Sequence, residues 1–557
     1  MKKANWLFLA LALVLSVTLA ACNGGSSEET SSDSSSEGDA EGSGDSEQVL
    51  NIIETAEIPT MDASLAADAV TMQWLATTTD GLYRLGENTQ PEPGIAKEHT
   101  VSDDGLTWTF TLREDATWSN GDPVTAHDFV FAWQRAVNPD TGSEYGPYMM
   151  GGVIKNATSI SEGETPVEEL GVKAVDDYTL EVNLEKPTPY FESMTTFGTF
   201  LPLNQEFVEN HGEDYGLEAE TLLSNGPFVL SEWNHGQDFV LKKNENYWDA
   251  DKVKLNQINV SIVKETASAV NLYETGEIDR VNLTSEFVDE YRTSEEFRTI
   301  EEPTVFYLKL NQEHEVLSNV NARKALQLAI DRQSMVDVIL NNGSIPSGGV
   351  VPASFTQHPE TGEDFREING TLVESNLEKA KELWAKAKEE LGVQEVELGY
   401  IGGDTEVSQN LDAYIKDQLE QLEGLTINVE SLPFQVKLDR DKSMDYDIQS
   451  TGWAPDYMDP NTFLNIWVTD GGNNKTGYSS KEYDALIEKA GAELAQKPVE
   501  RFETFLEAEK MLIQEDAVLV PLYQRALAQL KKPYVKNVSV NPMSPDYTYK
   551  YAYIEGK

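Results

Sequence analysis

Among the 96 acidic residues of this chain, Asp456 is set apart by its neighbours. It stands in Ser450-Thr451-Gly452-Trp453-Ala454-Pro455-Asp456-Tyr457-Met458-Asp459-Pro460, with an indole three residues before it and a phenol directly after. Aromatic faces on both sides would shield its charge from water, and a shielded carboxylate needs a cation or takes up a proton instead. The ammonium of a peptide N-terminus is a cation that fits. The plainer alternative is a solvated aspartate in an ordinary strand-to-helix loop. Two prolines fix the turn and remove two amide donors, and Gly452 would let another backbone approach closely. A strand-like run, Tyr446-Asp447-Ile448-Gln449, leads into the stretch, and a helix-like run over residues 462–467 leads out of it.

Other constellations carry less. Ser261-Ile262-Val263-Lys264 and Lys475-Thr476-Gly477 occur as motifs in serine enzymes that act on penicillin. There the serine opens a helix, whereas Ser261 lies in an alternating, strand-like run, and no Ser-Asp-Asn accompanies the pair. The six histidines (His99, His127, His211, His235, His314, His358) form no His-x-x-x-His pair, which argues against a zinc hydrolase. So many carboxylates make any acid pair uninformative for glycosidases. The run from Gly471 to Thr476 lacks phosphate-loop spacing and reads as a solvated turn. The expectation is a protein that is not an enzyme and uses no cofactor and no metal.

The elements that position Asp456 belong to a long chain. Its 557 residues suggest two or three lobes, and 39% hydrophobic with 25% charged residues is the composition of a globular protein. A formal charge of −54 argues against nucleic acid as a partner, because phosphates need a basic footprint. It also has a bland reading, solubility in salty or alkaline surroundings. Cys22 is the only cysteine, so no internal disulfide and no cysteine-based zinc site can form. Met1-Lys2-Lys3, an apolar run over residues 7–19 too short to span a bilayer comfortably, and Leu19-Ala20-Ala21-Cys22 resemble the signal peptide and lipobox of bacterial lipoproteins. That resemblance implies removal of residues 1–21 and lipidation of Cys22. Residues 23–48 hold eight acids, nine serines and no Lys or Arg, which makes residues 22–48 a disordered tether reaching roughly 30 Å. The work is then done at the outer face of the membrane, where two or more acyl chains would hold the protein.

After residue 48 strands and helices alternate. Val49–Glu54 is a β-branched strand. Residues 71–83 read as a helix and its exit, and residues 106–113 alternate apolar and polar as a half-buried hairpin strand. Thr125 and Asp128 are spaced as a capping box. Residues 257–263 and 305–310 read as strands, and 320–340 as one long amphipathic helix. Residues 375–391 form the clearest helix, with Ser375 and Glu378 as a capping box and Gly392 at its end. Strands over 394–401 and 425–430 flank a helix over 406–422. This alternation predicts an α/β class with largely parallel sheets.

Several blocks now combine. They are the run Leu106–Arg113; Trp118-Ser119-Asn120-Gly121-Asp122-Pro123-Val124-Thr125-Ala126-His127-Asp128-Phe129; Ser224-Asn225-Gly226-Pro227-Phe228 with Tyr247-Trp248-Asp249; Tyr307-Leu308-Lys309-Leu310-Asn311 with Asn321-Ala322-Arg323 and Asp331-Arg332; and Gly452-Trp453 with Asp456-Tyr457. In this order they resemble the family 5 extracellular solute-binding proteins, the receptors of ABC importers for oligopeptides, dipeptides and nickel chelates. The resemblance covers nearly the whole chain after residue 48.

It implies a periplasmic-binding-protein-like type II (Venus flytrap) fold. Lobe I would comprise 49–80, 205–303 and 521–557, an extra subdomain 81–204, and lobe II 304–520. It implies closure around an extended peptide and delivery to a permease and its ATPase, by a monomer. By position Asp456 would take the ligand ammonium, flanked by Trp453 and Tyr457; Gly452 and Ala454 would offer backbone groups. The loop Ala67-Asp68-Ala69 would face them, and Tyr145 and Phe434 would wall the cleft, although both are equally ordinary core aromatics. The chain departs from well-studied members at Ala454-Pro455, where they carry Cys-Ala. Ser450 stands where they carry an arginine near the ligand carboxylate; Arg440 and Lys442 are candidate substitutes. Alternatives are a dipeptide, signalling-peptide or nickel-chelate receptor of the same fold, a surface sensor or adhesion protein without a permease, and a peptide hydrolase.

Overall fold

The computed structural model describes residues 47–86 and 90–557. The basic start, the apolar run and Cys22 lie outside the described residues, as does nearly all of the acidic tract. Among the described residues no helix is long and apolar enough to cross a membrane.

Three sheets carry the architecture. The first has the strand order Val49–Glu54, Gln257–Ile262, Asp238–Lys243, Phe228–Asn234. Its outer pair is parallel and the rest antiparallel. The second is an antiparallel four-stranded sheet of Ala96–Val101, Thr107–Leu112, Thr179–Asn183 and Val172–Asp176. In the strand Thr107–Leu112 the even positions Trp108, Phe110 and Leu112 are buried, as a period of two requires. Both sheets share one hydrophobic core. The third sheet is ordered Arg280–Leu283, Leu519–Lys531, Phe297–Leu310, Ile448–Trp453, Val396–Gly403, Leu425–Leu432, with Ile345–Pro346 added on Leu519–Lys531. Its two faces are buried under separate cores. The long strands Phe297–Leu310 and Leu519–Lys531 run from these cores into a fourth, around Val281, Leu283, Ala528 and Leu530.

The sheets are therefore mostly antiparallel, which corrects the expectation of largely parallel ones. Among the described residues only the pairs 49–54 with 257–262, 396–403 with 425–432, and 396–403 with 448–453 are parallel. Neighbours such as 228–234 and 238–243 are joined by short turns, and a turn that short can only reverse the chain. The expected helix over 320–340 is also interrupted. Val320–Ala329 ends at an extended Ile330, and the Asp331 carboxylate accepts from the Ser334 amide, capping a new turn that continues to Leu340. The cap of Leu377–Leu391 is Asn376, which accepts from the Lys379 amide, and not Ser375, whose hydroxyl is turned to the Ile330 carbonyl. The capping box of Thr125 and Asp128 opens Ala126–Val137 as expected.

Candidate functional site

The strand Ile448–Trp453 begins two residues after its expected start and ends four after its expected end, taking in Ser450 to Trp453. Beyond Trp453 the chain cannot stay in the sheet, because Pro455 has no amide to donate. The loop is closed by its own polar groups. The Asp456 amide donates to the Thr462 hydroxyl at 3.0 Å, the Asp459 amide to the Tyr457 carbonyl at 2.8 Å, and the Asn461 amide to the Asp459 carboxylate at 3.0 Å. Pro460 then leads into the short helix Asn461–Leu464.

This geometry buries Asp456, with 4% of its surface exposed. Its Oδ2 is enclosed and has no hydrogen-bond partner. Burial holds the carboxyl well above the ordinary range; the hydroxyls of Tyr148 and Thr462 pull weakly the other way. The other buried acids among the described residues show how unusual this is. Asp62 pairs with Arg135, Asp80 with Arg84, Asp279 with Lys557, Glu302 with Arg525 and Glu509 with Arg366. Asp68 and Asp128 cap helices. Only Asp412 and Asp456 have neither a cation within ion-pair distance nor a helix to cap.

Rings enclose the carboxylate. Tyr145 lies parallel to Trp453 at 6.3 Å and to Phe197 at 5.3 Å. Tyr190 lies parallel to Tyr457 at 4.9 Å. Tyr148 meets Trp453 edge-on at 5.9 Å, and its hydroxyl reaches the Thr462 carbonyl at 3.4 Å. Tyr457 is buried in the core shared by the first two sheets, away from the cores of its own sheet. The residues flanking Asp456 are thus each covered by a tyrosine from residues 145–190.

Several expected residues meet here. Tyr145 is brought onto Trp453, and the carboxylates of Asp456 and Asp68 both raise the pKa of its hydroxyl, after burial. Asp68 accepts from the Thr71 amide at 2.9 Å and hydroxyl at 2.7 Å, capping Ala69–Thr78. Ala69 is therefore the first helical residue and not a loop residue; Ala67 is half-buried before the cap. Ala454 is half-buried beside Trp453. The neighbour of Gly452 is a ring, not a backbone: a Cβ there would meet Phe306 at 3.1 Å. Phe434 opens the helix Phe434–Lys442, half-buried, and no ring contact among the described residues joins it to the stacked set. Arg440 is engaged by Glu430 at 2.6 Å and Asp445 at 3.0 Å, and Lys442 by Glu144 at 3.1 Å.

Tyr148, Tyr190 and Thr462 were not among the expected residues. The spacing of Tyr145 and Tyr148, three apart, places both on one helix face and is a signal that finds the second from the first. Nothing local points to Tyr190. Among the described residues no group of three or more His, Cys, Asp or Glu is placed to hold a metal.

Residues 90–475 match the family described as "Bacterial extracellular solute-binding proteins, family 5 Middle". The substrate-binding domain of an oligopeptide ABC transporter from Bacillus anthracis is 45% identical, with a TM-score of 0.89 over 91% of this chain and 99% of that one. Listeria monocytogenes OppA bound to peptide is 42% identical, with a TM-score of 0.88 and coverage of 91% and 99%. The dipeptide-binding protein DppE of Bacillus subtilis is 32% identical over 98% of each chain. The chain, with its two-lobed α/β fold and additional subdomain, belongs to the bacterial extracellular solute-binding proteins of family 5.

Proposed function

We propose that the protein is the oligopeptide-binding receptor of an ABC importer, tethered at the outer face of a bacterial membrane, and that it does no chemistry on its ligand. The observation that carries this reading is Asp456, a buried carboxylate without a cation of its own. The N-terminal ammonium of a peptide is the right charge for that oxygen and reaches it from a chain end, where the bond needs no side chain of the ligand. The peptide backbone would lie along the end of the strand Ile448–Trp453, beside Gly452 and Ala454, with Trp453 and Tyr457 as walls. Tyr145 and the Ala67-Asp68-Ala69 turn would close the opposite side, and Phe434 would contact the ligand farther along. The names of the relatives, which bind oligopeptides and dipeptides, support the same ligand class.

In the lobe assignment that goes with this reading, 49–80, 205–303 and 521–557 form lobe I, 81–204 its extra subdomain and 304–520 lobe II. The shared core of the first two sheets supports joining 81–204 to lobe I. Lipidation at Cys22 rests on the residues around it alone. Calorimetry with one peptide, free and N-acetylated, tests the function directly. Binding of the free amine with loss on acetylation is the expected result; equal binding of both forms refutes it.

A further inference from the structure

The helix Thr266–Thr275 begins without a cap of its own. Glu265 stands at the capping position in an extended conformation, but its side chain accepts no amide of the first turn. The Thr266 amide donates instead to the Glu406 carboxylate at 3.3 Å, 140 residues along the chain. Glu406 is the first residue of the helix Glu406–Leu419, which does have its own cap in Thr405, accepting from the Ser408 amide. One carboxylate therefore stands at the N-termini of two helices, where both helix dipoles favour a negative charge. Beside it the Lys264 ammonium meets the Asp404 carboxylate at 2.6 Å.

The two sides of this contact are rooted in different cores. Ala269, Val270 and Tyr273 pack the first helix into the core around Val281 and Leu530. Leu411, Ile415 and Leu419 pack the second into one of the two cores of the third sheet. Lys264 and Asp404 stand just past the carboxyl ends of the strands Gln257–Ile262 and Val396–Gly403, the ends at which α/β sheets form their crevices. In the lobe assignment given above, Lys264 and Thr266 belong to lobe I, Asp404 and Glu406 to lobe II. The ion pair alone is worth little, since 40% of the Lys264 side chain and 27% of the Asp404 side chain are exposed. The cap is the larger share, because parting the lobes leaves the first turn of Thr266–Thr275 without its acceptor.

We infer that Glu406, with the Lys264–Asp404 pair, is a latch that holds the lobes shut over the peptide, and that the helix Thr266–Thr275 is capped only in the closed form. This rests on the reading of the protein as a receptor that closes on its ligand. The latch needs no contact with the peptide. Its members are positioning residues that set affinity through the population of the closed form.

Thr266→Pro is the most selective test. Thr266 is the first helical residue, where proline is favoured, and Glu265 at φ −92° and ψ 121° accepts a following proline. The substitution removes the donor and sets a ring carbon in its place, while the helix stays. Calorimetry and stopped-flow on the full chain with a free-amine peptide should show binding ~5–30-fold weaker, mainly through faster release, with a ligand-free melt that is unchanged or higher. Glu406→Ala should weaken binding similarly, Glu406→Gln less because its amide oxygen still accepts, and Lys264→Met by up to ~5-fold. Unchanged affinity in Thr266→Pro overturns the inference, as does a loss of affinity that comes with an equally lowered melt. If the unmodified chain binds no peptide, the receptor reading fails instead, and small-angle scattering of the ligand-free chain decides for the latch. A larger radius of gyration in Thr266→Pro then supports it, and identical curves overturn it.

Discussion

Asp456 and Asp459 stand three residues apart in one loop and meet opposite fates. Both Asp459 oxygens are held by Arg501, at 2.6 and 2.8 Å, and the Arg501 guanidinium also lies over the rings of Tyr190 and Phe505. Asp456 is more deeply enclosed and has two hydroxyls nearby but no cation. The first carboxylate is part of the framework, fixing the loop to the helix Pro498–Lys510. The second is left costly by the framework itself. An enclosed carboxyl to which the protein gives no cation is where a charged ligand gains most, since no counter-ion of the protein has to be displaced.

The comparison breaks most visibly at the framework side. Arg501→Met leaves Asp459 buried and alone and should cost about 3–5 kcal/mol of stability, read by denaturant melts of the ligand-free protein. Asp456→Asn should do the reverse, leaving stability unchanged or raising it. If both variants destabilise alike, the two carboxylates are not different in kind.

On the ligand side, Asp456→Ala should weaken binding of a free-amine peptide by about 2–5 kcal/mol, while Asp459→Asn, assayed at a temperature where that variant is still folded, should not. Calorimetry showing unchanged affinity for Asp456→Ala removes the residue from the site.

The next effect is in pH. The Asp456 carboxyl lies above its ordinary 3.8 in the fold, so the folded chain holds that proton more tightly than the unfolded chain does. Its contribution to ligand-free stability therefore declines as pH rises from about 4 toward the raised value, and Asp456→Asn should flatten that decline. Binding an ammonium needs the ionised form, so affinity should rise with pH over the same window. Titrations in buffers of different ionisation enthalpy should show a proton released on binding, and its absence in the unmodified protein would mean that Asp456 is already ionised.

The smallest effect concerns the rings. Tyr190→Leu removes one parallel stack and should cost about 0.5–1.5 kcal/mol beyond lost area, seen as weaker peptide binding. An equal loss of stability with no loss of binding would make the stack framework only.

Much of this was legible in the sequence because it is local. The Thr125 and Asp128 box, the alternation of 107–112 and the aromatic flanks of Asp456 all act within a few residues. What escaped depends on partners far along the chain. Tyr190 reaches Tyr457 across more than 260 residues, and Phe306 meets Gly452 only through the register of two strands. The interruption at Ile330 and Asp331 was masked because the apolar spacing carries on through it while the capping chemistry of Asp331 does not. Strand direction was misjudged because alternation of strand and helix says nothing of which strands pair.

The parallel ring pairs over Trp453 and Tyr457 have a consequence for unloading. Both upper rings come from residues 145–190, so any motion that lifts that segment separates the two pairs together and admits water to the carboxylate between them. An ion pair at 4 Å that is worth about 4 kcal/mol in a protein-like surrounding falls to about 1 kcal/mol once hydrated. A transporter that pries the jaws apart would thus loosen the cargo without touching it, by wetting a single oxygen.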